Sequence, residues 1–382
     1  MKVRFLFSSS DGDLPADEAL LSRRFLLNPL EEHPSLRLGD YFKAIEHFLF
    51  VKRRDSLMVL LGRLWNSSLD VDHIDEVLIR SEKHGTLYHL ASAEVFSSDL
   101  MAKFAVSVAV SETNQAWLSR EFETLKHLNE TFHLPYLPEA HFLENLEWTT
   151  PGGPVPLFFM LSEWFEDYHE WHLSLGEKGE PSLVIWDFQN GYRRAEDWEG
   201  CEIYRSASRI LTLYYNIGSS HQIHPWHHAA GDFIVRNDGG RIDVRLTTAR
   251  GYEPLMVFLE EQDINAVMAL LTFFLNLTIR MRVDRWDGVG GVAWAPDFCL
   301  KASVEGFLQA LRIMEAEGRY GLGSMHDFCG LLKGFGEDEF RRLCLPLLEF
   351  YMREGDEMAR VIEEHIDSHC HTLRSVIQDL PE

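Results

Sequence analysis

Three short segments in the first third of the chain do most to limit its fold. "EVLIRSEKHG" (76–85), "TLYHLASAEVF" (86–96) and "AKFAVSVAVS" (102–111) alternate apolar with polar residues or carry β-branched runs, with turn residues between them. This pattern predicts three successive antiparallel strands after Asp72. The period then changes. "NQAWLSREFETLKHLNETF" (114–132) places Trp117, Leu118, Phe122, Leu125 and Leu128 at three- and four-residue steps, which predicts a helix. "LPEAHFLENLEW" and "VPLFFMLSEWF" return to a strand-like pattern on either side of Thr149–Pro154, whose Pro and Gly mark a loop or hairpin.

The segments before and after this region read as mainly helical. "LPADEALLSRRFLLNPLEEHP" and "DYFKAIEHFLFVKRRDSLMVLLGRLW" predict a helical extension over residues 1–71. From Glu202 onward, "EIYRSASRILTLYYNIGSSHQI", "INAVMALLTFFLNLTIRM", "SVEGFLQALRIMEAEGR" and the stretch 339–378 carry helical spacing. Between the first two of these lie "DFIVR" and "RIDVRL", joined by Asn237-Asp238-Gly239-Gly240, a hairpin signal. The fold class expected is α+β and bilobal. A small antiparallel-sheet lobe occupies 72–165, a helical lobe 166–382, and a cleft lies between them.

Charge and cysteine usage limit the partners. Sixty acidic residues against 36 Lys and Arg give a net charge of -24, which repels a phosphate backbone, so nucleic acid is not an expected partner. The five cysteines lack CxxC spacing, which fits a reducing cytoplasm. The first apolar run stops at Phe7, too short for a signal-peptide core. The apolar stretch 264–279 is interrupted by Asn265 and Asn276 and is short for a bilayer, so it reads as a buried core helix and no membrane span is expected.

This order of elements, with the local residues, resembles the protein-kinase-like superfamily, over roughly Glu76 to Ile279. The pattern looks closest to bacterial lipopolysaccharide-core kinases and aminoglycoside-type phosphotransferases. The resemblance implies a Lys on the third strand for nucleotide phosphates, a helix Glu to orient it, a loop Asp for the acceptor hydroxyl, and carboxylates for Mg²⁺. In this chain Ser107 stands at the Lys position, and a serine cannot supply the charge. Glu121 keeps the helix Glu, with Glu123 as a competitor, while Gly85 is the one glycine where the resemblance implies a Gly-rich loop.

"HQIHPWHHAAGDFIV" then falls in the place of the catalytic loop, with Asp232 opening the strand and His227 where the acceptor-positioning Asp is implied. Asp232 remains a candidate metal ligand. At the second metal position, Arg245, Thr247 or Thr248 stands instead of a carboxylate, and Mg²⁺ is held poorly by one carboxylate. Asp263 reads either as a tether for the loop or as a first-turn acid of the following helix. The aromatics of Phe159–His172 read as a purine slot or as packing.

The histidines have separate readings. His221, His224, His227 and His228 are close enough to suggest zinc, but Pro225 interrupts any single ligating face. His227 reads as a general base or as a structural histidine. His365 and His369, near Asp367 and Cys370, read as an adventitious metal pair or a solvated helix end. The expectation is a pseudokinase that binds an unknown ligand or partner protein through the cleft, with ATP and Mg²⁺ bound weakly or not at all. Its alternative is a divergent small-molecule or lipopolysaccharide-type phosphotransferase using Asp232 and His227, with Lys103 or Arg245 substituting for the missing Lys.

Overall fold

The computed structural model describes residues 1–9, 12–28, 31–67, 70–85, 87–176, 179–187, 191–228, 231–255 and 265–380. Its secondary structure is mixed, with antiparallel sheets and a helical C-terminal region. Two compact units divide the chain. The first holds residues 1–133 and 138–166, and the second holds 134–137 and 167–382.

The first unit opens with strands β1 (Lys2–Ser9) and β2 (Gly12–Pro15), a short helix α1 (Glu18–Ser22), and strands β3 (Arg24–Asn28) and β4 (Glu31–Arg37). Helices α2 (Leu38–His47) and α3 (Arg54–Leu64) follow, linked by a π-helical turn at Phe48–Lys52. The expected strands are β5 (Glu76–His84), β6 (His89–Ser97) and β7 (Leu100–Ala109). They precede α4 (Glu112–Phe132) and the hairpin β8 (Ala140–Thr150) and β9 (Gly153–Glu163). Ser111 caps α4 by accepting from Asn114 N–H at 3.2 Å, and His133 ends it in the left-handed region.

One seven-stranded sheet runs in the order β2-β1-β5-β6-β7-β9-β8, antiparallel except for the parallel pair β1 and β5. The N-terminal segment therefore differs from the helical extension expected for 1–71. "KVRFLFSS" alternates and pairs along Glu76–Ser81, and the helix read over 14–34 shrinks to α1 because "RFLLN" pairs with β4. Short apolar runs carry too few periods to separate strand from helix.

The same segment completes the core. Val77, Ile79, Val95, Phe104, Val106 and Phe159 form an apolar sheet face, and Tyr41, Phe42, Ile45, Phe48, Leu57 and Leu61 of α2, the π turn and α3 cover it. Each such large side chain contributes at most about 1.5–3 kcal/mol by leaving water. Within this core the Tyr41 hydroxyl lies 2.5 Å from His89 Nδ1, and His89 Nε2 lies 3.2 Å from Ser81 Oγ.

The second unit begins with β10 (His169–Leu175), β11 (Pro181–Asp187) and β12 (Gly191–Arg194), then α5 (Asp197–Leu213) and β13 (His221–Ile223). The expected hairpin is β14 (Phe233–Asp238) and β15 (Arg241–Leu246), turned by Gly239 and Gly240, both at positive φ. After β16 (Tyr252–Pro254) come α6 (Ala266–Arg280), β17 (Val283–Arg285) and β18 (Val292–Trp294). Helices α7 (Asp297–Ala316), α8 (Met325–Gly334), α9 (Glu337–Glu354) and α10 (Asp356–Gln378) complete the unit.

A five-stranded antiparallel sheet in the order β12-β11-β10-β14-β15 carries one buried face made by Trp171, Leu173, Ile185, Phe233, Val235 and Val244. Trp171 of this face meets Tyr204 of α5 at a ring distance of 5.2 Å. Helix α6 is buried along most of its length, as read from its sequence. No helix among the described residues is long and apolar enough to cross a membrane.

The C-terminal reading needs a correction. His369 and Cys370 do not end a solvated helix: both are fully buried, because α10 packs its apolar stripe on α7, α8, α9 and β18. Burial pushes the His369 imidazole down to about 3.

Replacing Tyr41 with Phe strips a hydrogen bond from buried His89. A loss of about 1–3 kcal/mol is expected, read as a lower urea midpoint at unchanged slope.

Candidate functional site

Residues 224–228 and 231–232 precede β14 of the second unit, and one carboxylate ties them together. Asp232, buried to 1% exposure, accepts on Oδ2 from the His227 backbone N–H at 2.7 Å and from Arg250 Nη1 at 2.7 Å. On Oδ1 it accepts from Arg250 Nη2 at 2.7 Å. Its carbonyl accepts from Thr247 N–H at 2.7 Å and from the Thr247 hydroxyl at 3.2 Å. The loop is thus tied to the segment after β15 through both the side chain and the backbone of a single residue.

Gly231 makes the approach possible. It sits at φ +70°, and a Cβ there would fall 2.6 Å from the Glu170 carboxylate carbon. A side chain at 231 would have to displace that carboxylate.

Arg280, at the end of α6, holds the histidines. Its Nη2 donates to the Trp226 carbonyl at 2.7 Å and lies 2.9 Å from both ring nitrogens of His227, of which only the unprotonated one of a neutral imidazole can accept and neither of an imidazolium can. Burial first, and the Arg280 charge second, push His227 down to about 2. His227 is therefore neutral and too weak a base to take a proton near neutrality. His228 is also buried, and burial lowers it. Its two ring nitrogens have no hydrogen-bond partner among the described residues, and its ring stands 5.3 Å from Trp171 and 5.9 Å from Tyr204.

The remaining histidines of the loop lie apart in role. His221 is in β13, its Nδ1 3.0 Å from Ser219 Oγ, and His224 stands 5.8 Å from the Phe350 ring. Among the described residues no group of three or more His, Cys, Asp or Glu is placed to hold a metal ion. Asp232 itself has both oxygens committed to a guanidinium, which is the arrangement of an ion pair and not of an open metal ligand. No family model and no curated protein matches the chain.

The other two candidate residues belong to the first unit. Ser107, 5% exposed, sits on β7 between Leu90 of β6 and Met160 of β9. Glu121 is buried on α4 and accepts from the hydroxyl of Tyr88, which comes from the turn between β5 and β6. The helix Glu is thus engaged by a phenol. Lys103, the proposed substitute cation, is held 3.2 Å from Glu94 and 3.8 Å from Glu166 and lies over the Trp164 ring at 4.6 Å.

Of the aromatics in 159–172, Phe159 belongs to the core of the first unit and Trp171 to that of the second. Asp263 lies outside the described residues. Sequence reasoning missed Arg250 and Arg280. The signal that could have found Arg280 is an arginine at the end of an otherwise apolar helix, in "NLTIRM".

Removing the Asp232 charge takes the carboxylate from a half-buried guanidinium and leaves a buried amide in its place. Asp232→Asn is expected to cost about 3–5 kcal/mol in a denaturant titration, whereas Asp232→Leu combined with Arg250→Met recovers most of it.

The buried histidines also set a pH dependence. With native pKa values below the unfolded 6.5, His227, His228 and His369 leave the unfolded chain binding more protons at low pH. Their contribution is fully present above pH 6.5 and is lost as pH falls from 6.5 toward the native values. At pH 5.5 His227 and His369 each cost about 1.4 kcal/mol relative to high pH, and His227→Gln is expected to flatten the slope by one proton's share.

Proposed function

We propose that this protein is a kinase-like scaffold without phosphotransferase chemistry, a pseudokinase that acts by binding a ligand or a partner protein. The observation that carries this reading is the state of Asp232, a buried carboxylate whose two oxygens are taken by the half-buried Arg250 in a bidentate pair. Phosphoryl transfer relies on charged groups free to hold metal and phosphates. Here the strand-opening carboxylate is neutralised from within, His227 is held as a weak base, and Ser107 stands where a cation would be needed.

The arrangement of the first unit supports the kinase-like part of the reading. Three strands, a helix and two strands follow one another, and the last two add to the sheet beside the third. The hairpin β14 and β15 follows the loop in the place that the resemblance implies. Glu121 paired with Tyr88 supports a helix Glu retained for packing after its basic partner is gone. The phosphotransferase alternative relies on Lys103 or Arg245 and on Asp232, and each of these three is paired.

The test is direct. Incubated with ATP, Mg²⁺ and a panel of small-molecule and lipopolysaccharide acceptors, the protein is expected to give no turnover, and Mg²⁺ is expected to add nothing to any thermal shift caused by ATP. Metal-dependent turnover that disappears in a folded Asp232→Ala variant would overturn the reading.

A further inference from the structure

The face of the five-stranded sheet opposite its buried side carries charges in an uneven arrangement. Register places Ile234 opposite Arg245 and Arg236 opposite Asp243, so these four side chains share one face while Phe233, Val235, Val244 and Leu246 fill the other. Tyr168, just before β10, reaches over this face. Its hydroxyl donates to Asp243 Oδ2 at 2.6 Å and accepts from Arg245 Nε at 3.0 Å, and Arg245 Nη2 donates to the same Asp243 oxygen at 2.9 Å.

Arg236 takes no part in that network. Its guanidinium carbon lies 4.8 Å from the Tyr168 ring centroid, its Nε is buried without a hydrogen-bond partner, and among the described residues no carboxylate pairs with it. Arg80, Arg193, Arg205 and Arg250 each face a carboxylate within hydrogen-bond distance.

Stacking on an aromatic ring orients a guanidinium while leaving its in-plane N–H groups directed outward. Arg236 and Arg245 are diagonal neighbours on adjacent strands, about 7–8 Å apart at the backbone by ordinary sheet geometry. Together with Asp243 they leave one net positive charge around the Tyr168 phenol. Asp243 shows what Arg245 and Tyr168 take, a carboxylate oxygen, and Arg236 presents the same donors with no acceptor.

We propose that Arg236, stacked on Tyr168 and flanked by Arg245, is the anchor of an oxyanion-binding site on this sheet face. It takes the phosphate or carboxylate group of a ligand through two parallel N–H donors. The site stands on the second unit alone and is independent of the kinase-like reading.

Titration calorimetry of the intact protein with inorganic phosphate and with acetate, each against chloride at matched ionic strength, tests it. Wild type is expected to bind one of the two oxyanions at least about tenfold more tightly than Arg236→Gln does. Asp243→Asn, which removes the competing internal carboxylate, is expected to tighten binding several-fold. Preference for phosphate assigns a phosphate-bearing ligand, and equal or better binding of acetate assigns a carboxylate. Arg236→Lys keeps the charge and the chain volume but loses the planar fork. It guards against a folding defect in the Gln variant, and it is expected to bind more weakly than wild type. Identical responses of wild type, Arg236→Gln and Arg236→Lys to all three anions would overturn the site.

Discussion

A single ion pair, between a buried carboxylate and a half-buried guanidinium, governs the region around β14. Asp232 and Arg250 are 18 residues apart, and the hairpin β14 and β15 lies between them, so their bidentate contact closes that hairpin at its base. An unpaired carboxylate at this depth costs several kcal/mol, so Arg250 is needed to keep Asp232 where it accepts from the His227 N–H. The backbone bonds from His227 to Asp232 and from Thr247 to Asp232 are consequences of that closure. Loop shape and loop chemistry are therefore separable here. The carboxylate that could have served a metal serves the backbone.

Charge balance extends the same logic across the chain. Arg80 reaches Asp13 of β2 and Glu94 of β6, tying the N-terminal hairpin to the central strands of the sheet. Arg205 of α5 reaches Glu305 of α7, next to Gly306, where a Cβ would fall 2.0 Å from the Arg205 carbonyl oxygen. The close crossing of these helices and their ion pair occupy one place, so packing and electrostatics fix the same register. With acids in excess, most buried or half-buried arginines find a partner, and the positions of those partners carry much of the specificity of the fold.

Local patterns were legible in the sequence and long-range pairing was not. β5, β6, β7, α4 and the two hairpins follow from period and turn chemistry, because strands of nine or ten residues and the glycines at 239 and 240 leave few alternatives. β1 was misread because its partner, β5, begins 74 residues later at Glu76, and nothing local announces a parallel pairing. The site residues were found as positions, but their state was not. Whether Asp232 is an open ligand or half of an ion pair depends on Arg250, and whether His227 is a base depends on Arg280. Both arginines arrive through tertiary structure.

Residues Leu134–Leu137 lie between segments of the first unit yet belong to the second. There the Tyr136 carbonyl accepts from Leu246 N–H at 2.9 Å, the Leu134 carbonyl accepts from the Tyr214 hydroxyl at 3.3 Å, and the Tyr136 ring lies 5.9 Å from the Arg245 guanidinium. The connection between α4 and β8 is thus a graft that the second unit needs at the end of β15 and of α5. No single cut in the chain yields both units whole. Truncation at residue 166 would deliver a second unit without residues 134–137 and the hydrogen bonds they accept at the ends of β15 and α5.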